Sequence, residues 1–265
     1  DMSLDYSQRW YSGWWMSLRG NFTYSTNQYE VYEEPQYSEA YRYRVGNSIG
    51  QWYGYIAEKL FVDDYEAFSS PQQPFGEYRG GDIKYLDVNN DGKISESDIL
   101  PIGNPTVPEI VYGFGFSMGY KGLDFSAFFQ GLTNESFWID PVATGPFGNQ
   151  NQLLKAYADN YWSEDNQNIY ALWPRLSTGT IGNNAQTSTW FMRDGTFLRL
   201  KQLEVGYSLP EKLQKKLRST NFRLFLNGSN LLTFSKFKLW DVEMGGNGLG
   251  YPIQRVYNIG LNVNF

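Results

Sequence analysis

The segment 87–98 carries oxygen-bearing side chains at a spacing that suits a hard divalent cation. Its predicted ligands, in chain order, are Asp87, Asn89, Asp91, Lys93 through its backbone carbonyl, Ser95 and Asp98. Gly92 stands at the sixth position, where a calcium-binding loop turns sharply. Calcium is favoured over magnesium because a cage built wholly from protein oxygens suits the larger ion. We therefore predict a structural Ca²⁺ site that braces a long loop lacking a core of its own.

The last predicted ligand departs from the EF-hand pattern, which has a bidentate Glu where this chain has Asp98. The shorter side chain resembles dockerin-type loops and indicates weaker or more rigid binding. No helix of ordinary length is predicted after the loop, because Pro101 follows soon. The alternative is a surface turn rich in Asp, Asn and Gly that holds no ion.

The composition argues against catalysis and against nucleic acid as a partner. Histidine and cysteine are both absent, so a Ser-His site and thiol chemistry are impossible within this chain. The net charge of −6 disfavours binding to nucleic acid. The paired carboxylates at 33–34 and 63–64 lie in polar segments without a base partner, and we interpret them as solvated. A hydrolase is thus a disfavoured rival class.

Apolar and polar residues alternate strictly in the last part of the chain, from Tyr257 to Phe265. A strand with lipid on one face and a wet lumen on the other shows this period of two. The aromatic residues Tyr257 and Phe265 at its two ends resemble the assembly signal that outer-membrane barrel proteins present to their insertion machinery. The alternative is a half-buried edge strand of a soluble sandwich.

Further segments show the same alternation, and the composition agrees with a barrel. The predicted strands lie at 14–24, 110–120, 123–129, 202–209 and 222–227, with the end of another strand at 1–6. Aromatic residues make up 18% of the chain, which suits girdles at two membrane interfaces. No apolar run is long enough for a transmembrane helix.

The connections between the predicted strands alternate in length. Short turns precede Trp14 and lie at 121–122 and 210–219. The long connections are 27–108, 133–189 and 233–252. Transmembrane barrels pair short periplasmic turns with long extracellular loops, whereas a soluble sandwich has no reason to do so. The predicted fold class is therefore an all-β, transmembrane antiparallel β-barrel.

The strand count predicts that residues 1–265 are the carboxyl-terminal part of a larger barrel. If the last strand runs down to the periplasm, the segment 1–6 also runs down, although mature barrel proteins begin in the periplasm. Roughly seven strands cannot close an antiparallel barrel with both ends on one side. We therefore expect further strands, and a plug domain, outside this chain. The alternative is a small barrel of about eight strands with one strand unrecognised.

Several motifs resemble the SusC-like TonB-dependent transporters. They are, in chain order, Ile102–Pro105 with Tyr112–Phe114, Trp190–Pro210, Leu226–Thr233, Trp240–Glu243 and Tyr251–Tyr257. The resemblance covers essentially residues 50–265. It implies a barrel of about 22 strands with an amino-terminal plug, in which the segment 87–98 lies in an extracellular loop.

The resemblance also implies a function and a set of partners. The implied function is TonB-dependent import of oligosaccharides, or of peptides in some members, as the barrel of a SusCD-type complex in the Gram-negative outer membrane. The implied partners are a SusD-like surface lipoprotein that acts as a lid, the TonB complex reached through the missing amino-terminal region, and outer-membrane lipid. The alternative is a structural or adhesive barrel without active transport.

The resemblance assigns no substrate-binding residue. Tryptophans in or near the predicted loops are Trp52, Trp138, Trp162, Trp173, Trp190 and Trp240. A lumen-facing subset can stack on a sugar ring, whereas most are expected to pack within loops or girdles. Helical spacing predicts short helices at 152–162, in an extracellular loop, and at 210–217, at the periplasmic end.

Overall fold

A computed structural model describes residues 1–147 and 152–264 of the chain. Its α-helices are short, namely α1 (Asp64–Ser69), α2 (Pro141–Thr144), α3 (Lys155–Ala158) and α4 (Glu211–Lys216). Among the described residues, none of the helices has the length and apolar character needed to span a membrane.

Strands form most of the regular structure. In chain order they are β1 (Met2–Arg9), β2 (Trp14–Tyr24), β3 (Trp52–Gly54), β4 (Ala57–Leu60), β5 (Ile83–Tyr85), β6 (Leu100–Ile102), β7 (Ile110–Tyr120), β8 (Leu123–Thr133), β9 (Ser136–Trp138), β10 (Met192–Asp194), β11 (Phe197–Ser208), β12 (Asn221–Ser235) and β13 (Val256–Asn264). The predicted all-β class is therefore confirmed.

Seven long strands form one antiparallel sheet in the order β1-β2-β7-β8-β11-β12-β13. These strands overlap the segments whose alternation predicted them, although several extend beyond the predicted bounds. β1 continues to Arg9, β8 to Thr133 and β12 to Ser235, and β11 begins at Phe197. The turn between β7 and β8 is tight, because Lys121 and Gly122 both adopt positive φ, as a two-residue hairpin turn requires. Strands next to each other in sequence or across a long connection thus become neighbours in space.

The strand register separates the sheet into two chemically different faces. Leu226 pairs with Ile259 on one face, and their side chains are 57% and 74% exposed. Asn227 pairs with Asn258 on the opposite face, where the Asn258 Nδ2 donates to the Asn227 Oδ1 at 2.9 Å. We call the first, apolar side the outer face and the second, polar side the inner face. A contiguous exposed apolar face is what a lipid-facing sheet requires.

The connections lie at the two ends of the strands according to length, as predicted. Short connections, including α4, join the strands at one end. The long connections follow β2, β8 and β12 at the other end. They pack together into a unit that we call the loop body, formed by residues 50–104, 136–147, 152–195 and 236–245. Three small two-stranded sheets, β3–β6, β4–β5 and β9–β10, belong to it.

The hydrophobic core lies in the loop body. Leu60, Ile83 and Ile139 are fully buried, and they pack with Tyr157 and Phe191 in one cluster drawn from both of the first two long connections. The expectation that the long connection at 27–108 lacks a core is therefore wrong. The sequence analysis did not predict this core, because its residues come from segments far apart in the chain.

The helix expectations have mixed outcomes. The helix expected at 210–217 is present as α4, directly after Pro210. The helix expected at 152–162 is confined to α3, because Tyr161 forms a bridge with Trp173 and the Trp162 N–H donates to the Trp173 carbonyl at 3.0 Å.

Of the two residues of the predicted assembly signal, Tyr257 lies on the outer face and is 73% exposed. Phe265 lies outside the described residues.

Candidate functional site

The first three predicted cation ligands converge on the same turn of backbone. The Asp91 N–H donates to the Asp87 Oδ1 at 3.2 Å and to the Asn89 Oδ1 at 3.1 Å. The Gly92 N–H donates to the Asp87 Oδ2 at 2.8 Å, and the Lys93 N–H donates to the Asp91 Oδ1 at 3.0 Å. The segment 87–98, which we call the cation loop, thus gathers three oxygen-bearing side chains that keep free lone pairs.

Asp98 closes the base of the cation loop. Its side chain is fully buried, its Oδ1 accepts from the Val88 N–H at 2.8 Å, and its Oδ2 accepts from the Ser95 N–H at 2.7 Å. The Ser95 hydroxyl in turn caps the following 3₁₀ turn by accepting from the Ser97 N–H at 3.2 Å. The Asn89 N–H also donates to Oδ1 and the Ser95 hydroxyl to Oδ2, each at 3.4 Å, so donors already occupy both lone pairs of each oxygen. A cation could bind Asp98 only by displacing one of these donors.

The described residues fit a cation only as a mixed set of ligands. No group of three His, Cys, Asp or Glu side chains within the described ranges is placed to hold a metal. A cation in this loop must therefore also use the Asn89 amide oxygen and backbone carbonyls, as oxygen-rich calcium loops do.

The second half of the cation loop is bonded to neighbouring segments of the first long connection. The Gln72 N–H donates to the Gly92 carbonyl at 3.1 Å, and the Ile94 N–H donates to the Gln72 carbonyl at 2.8 Å. Ile94 is fully buried in the core. The Tyr41 hydroxyl donates to the Ser97 carbonyl at 2.7 Å. Changes in the loop can therefore reach the neighbouring segments through backbone bonds.

A buried polar cluster joins the first two long connections. The Gln73 Oε1 accepts from the Tyr85 N–H at 2.7 Å, and its Nε2 donates to the Asn183 Oδ1 at 2.6 Å. The Asn184 Oδ1 accepts from the Ile83 N–H at 2.9 Å. Side chains thus replace a neighbouring strand at one edge of β5. Gln73 and Asn183 are 110 residues apart, so no local sequence pattern indicates that they are partners, and the sequence analysis did not identify them.

A buried ion pair adjoins that cluster. Asp82 is fully buried, and the Arg175 Nε lies 2.9 Å from its Oδ1. Burial raises the pKa of the Asp82 carboxyl, and the Arg175 charge opposes this shift. The Arg79 N–H and the Asn184 side chain also donate to this carboxylate. Asp82 therefore sets the position of Arg175 within the loop body.

The inner face carries a charged cluster near the end of the sheet where the short connections lie. The Arg223 guanidinium lies between Asp124 of β8 and Glu204 of β11, and its Nη2 is 2.6 Å from the Glu204 Oε1. Gly206 lies beside this cluster, and a Cβ there would overlap the guanidinium. The glycine is needed because the side chain of Arg223 crosses over β11 to reach Asp124.

The tryptophans expected near the loops pack inside the loop body. Trp162 and Trp173 are 7% and 8% exposed, and Trp173 contacts the rings of Tyr157 and Phe191. Trp52 and Trp240 are partly buried and donate hydrogen bonds to the carbonyls of Ser136 and Gly245. These positions favour the packing interpretation over sugar stacking.

The chain resembles named receptors over most of its length. It is 33% identical over 203 residues to the TonB-dependent receptor P26 of Formosa agariphila, a match covering 70% of this chain and 20% of the relative. It is 28% identical over 244 residues to the receptor P3 of the same organism, covering 84% of this chain and 23% of the relative. It is 23% identical over 184 residues to the TonB-dependent receptor SusC of Bacteroides thetaiotaomicron, covering 68% of this chain and 17% of the relative. No family model matches.

Solved structures show the same fold. The RagAB peptide transporter matches with a TM-score of 0.66 at 21% identity, covering 99% of this chain and 28% of that chain. The RagAB peptide importer in its open-open state matches with a TM-score of 0.63 at 22% identity, covering 99% of this chain and 28% of that chain.

The sheet, its two faces and its loop body are those of part of a transmembrane antiparallel β-barrel. The relatives narrow this class further. The chain is a segment of a SusC-like TonB-dependent receptor, and it spans about a fifth of the length of the curated relatives named above.

Proposed function

We propose that the whole receptor imports oligosaccharides or peptides across the outer membrane in a TonB-dependent manner. Residues 1–265 contribute a carboxyl-terminal section of the barrel wall and part of its extracellular surface. The observation that carries this proposal is the division of one sheet into an exposed apolar outer face and a polar inner face, with an ordered loop body at one end. The names of the relatives, which are receptors and a peptide importer, point the same way.

The proposed partners follow from this arrangement. A SusD-like surface lipoprotein rests on the loop body as a lid, the TonB complex acts through a region outside residues 1–265, and lipid covers the outer face. A firm, packed loop body suits docking better than a mobile loop does, because less conformational entropy is lost on binding. In this proposal the chain binds and conducts solutes, and no catalytic step takes place on it.

The import proposal can be tested with the full receptor in its own outer membrane. Cells are supplied with fluorescently labelled oligosaccharides and peptides, and uptake is compared with that of strains lacking the receptor or lacking TonB. We expect accumulation of at least one of the two solute classes, and its loss in both deletion strains. Surface binding that persists without TonB, with no uptake of either class, would instead support an adhesive barrel.

The cation loop is proposed to bind Ca²⁺ through Asp87, Asn89, Asp91 and Asp98, the Lys93 carbonyl and the region of Ser95. The support is the convergence of Asp87, Asn89 and Asp91 around one turn. The carboxylates of this loop repel one another without a cation, so binding stabilises their close approach. Because the loop body has its own core, the ion fixes the conformation of the cation loop rather than the whole connection.

Terbium luminescence provides the test for this site. Tb³⁺ replaces Ca²⁺ at oxygen ligands, and Tyr41 lies close enough to sensitise its emission, since the Tyr41 hydroxyl bonds to the loop at Ser97. The full receptor should show emission that Ca²⁺ displaces, and Asp87→Ala with Asp91→Ala should remove it. Glu96→Gln is the matched control, because it removes a charge from the same loop at a position that is not a predicted ligand. Equal emission from the double variant would exclude the site.

A separate measurement addresses the purpose of the site. The affinity of the receptor for its lid lipoprotein is compared between wild type and the Asp87→Ala, Asp91→Ala double variant. We expect weaker lid binding with the barrel still inserted. Unchanged affinity would show that the ion has no part in docking, whether or not terbium binds.

A further inference from the structure

A polar cavity opens on the inner face where β11 and β12 approach the loop body. Its volume is about 300 Å³, and its lining includes Arg199, Lys238, Arg255, Asn230 and Asp241. Three of these side chains are cations and one is a carboxylate. The neighbouring outer face is apolar, so such a concentration of positive charge belongs to the lumen side of the sheet.

A β-bulge in β11 places Arg199 in this cavity. Against β8, Leu200 pairs with Phe129 and Gln202 pairs with Phe128, so Lys201 is an extra residue in β11. Without the extra residue, Arg199 would share a side with Val205 and point toward the outer face, because side chains alternate along a strand. Bulges that re-aim a side chain are often functional features.

The third long connection folds over Arg199 and buries it. Arg199 is 2% exposed, its Nη2 lies 2.6 Å from the Asp241 Oδ1, and its Nε lies 2.8 Å from the Glu243 Oε2. These two carboxylates hold Arg199 in place and exceed its charge by one negative charge. Neither Lys238 nor Arg255 forms an ion pair within the described residues. Two unpaired cations thus stand against one surplus carboxylate, and the cavity keeps a small excess of positive charge at its open side.

Asn230 adds an unused acceptor to the same cavity. It adopts a left-handed conformation with φ of 57°, and its Nδ2 donates to the Gln254 carbonyl at 3.0 Å. Its Oδ1 is buried and has no hydrogen-bond partner among the described residues. A buried acceptor without a donor is costly, so this oxygen is suited to a hydroxyl or N–H group brought by a ligand.

We propose that this cavity is an anion-binding subsite for the solute, taking a carboxylate or sulfate group at Lys238 and Arg255 and an adjacent hydroxyl or N–H at Asn230. Charge-assisted hydrogen bonds from Arg and Lys are the usual means of holding such groups. The proposal rests on the proposed import function, since it assigns the ligand to the transported solute. Both a uronic or sulfated glycan and an acidic peptide carry the required chemistry.

Selenate, a sulfate analogue with an anomalous X-ray signal, tests the site in crystals of the whole receptor. We expect an anomalous peak between Lys238 and Arg255 in the wild type and an about ten-fold loss of selenate affinity in Lys238→Gln with Arg255→Gln. Arg199 is left unchanged because its ion pairs with Asp241 and Glu243 hold the third long connection in place. Lys236→Gln is the matched control, since Lys236 is 90% exposed, pairs with Asp194 and does not line the cavity. No peak in the wild type would overturn the proposal.

Competition identifies the source of the anion. An oligogalacturonate, a polyglutamate peptide and a neutral maltooligosaccharide are each tested for displacement of selenate from the purified receptor. Displacement by one of the two acidic oligomers, and not by the neutral one, supports a solute subsite and names its class. Displacement by neither would show an adventitious ion only and would refute the proposal. Because no energised uptake is measured, this result is independent of whether import itself is confirmed.

Discussion

Replacing Gln73 by Ala should weaken the attachment of the second long connection to the first, so that the two open locally more often. The Gln73 side chain links β5 to Asn183 through three hydrogen bonds, and it is 2% exposed. After truncation, the Tyr85 N–H and the Asn183 Oδ1 each lose the partner that the structure gives them. The Ile83 carbonyl keeps a donor, because the Asn183 Nδ2 lies 2.8 Å away.

The magnitude follows from the two groups left without partners. A buried donor or acceptor without a partner costs about 1–3 kcal/mol, so the pair costs roughly 2–6 kcal/mol in the free energy of opening. Since about 1.4 kcal/mol corresponds to a factor of ten, the opening equilibrium should rise at least roughly 30-fold. The small void left by the side chain adds to this cost.

Hydrogen exchange of the full receptor measures this opening directly. Peptides covering residues 83–85 and 181–187 should exchange faster in Gln73→Ala, while the strands of the large sheet keep their protection. Gln72→Ala is the matched control, because the neighbouring residue is exposed and contributes its backbone groups to the pairing with the cation loop. Exchange in Gln73→Ala within a few-fold of that control would refute the argument that this cluster holds the two connections together.

Three further outcomes are expected. Gly206→Val should destabilise the folded receptor by about 1–3 kcal/mol, because the valine side chain displaces Arg223 from its ion pairs. A heat-dependent gel shift measures the loss, and unchanged heat stability would show that the guanidinium has room to move. Burial acts to raise the pKa of Glu66, but hydrogen bonds from two lysines and one backbone N–H outweigh it and lower the pKa to about 2 from 4.5. Stability gained from ionised Glu66 is therefore present above about pH 5 and lost as the pH falls toward 2, so proteolysis of the loop body should increase over that range in the wild type and less in Glu66→Gln. Asp98→Ala should expose the cation loop to proteases even without calcium, because two backbone N–H groups lose a buried acceptor, and unchanged cleavage would assign Asp98 to ion binding alone.

The large sheet was predictable from the sequence because its signals are local. Each strand shows its two faces within about ten residues, so the period of two identifies both the strand and the side that meets lipid. Connection lengths then place the strand ends without any knowledge of contacts. The phase of the alternation also changes around Lys201, where polar residues become adjacent, and this break was an available sign of the bulge that turns Arg199 inward.

The candidate cation loop was only partly predictable. Asp87, Asn89 and Asp91 lie around one turn because their side chains bond to backbone N–H groups within five residues, while their role as cation ligands stays a prediction. The role of Asp98 as a buried acceptor for the loop backbone was missed, although Ser95 followed three residues later by an acidic residue is a capping pattern.

The loop body shows why a long connection need not be a flexible one. Loop-closure entropy rises slowly with length, so a long connection can be ordered once it buries enough apolar surface. Here the surface comes from all three long connections, with Ile83 in the first, Phe191 in the second and Phe237 in the third. The sheet brings the three connections to the same end, and the pairing of Gln73 with Asn183 satisfies polar groups that the shared core buries. Folding of the loop body therefore depends on the strand order of the sheet beside it.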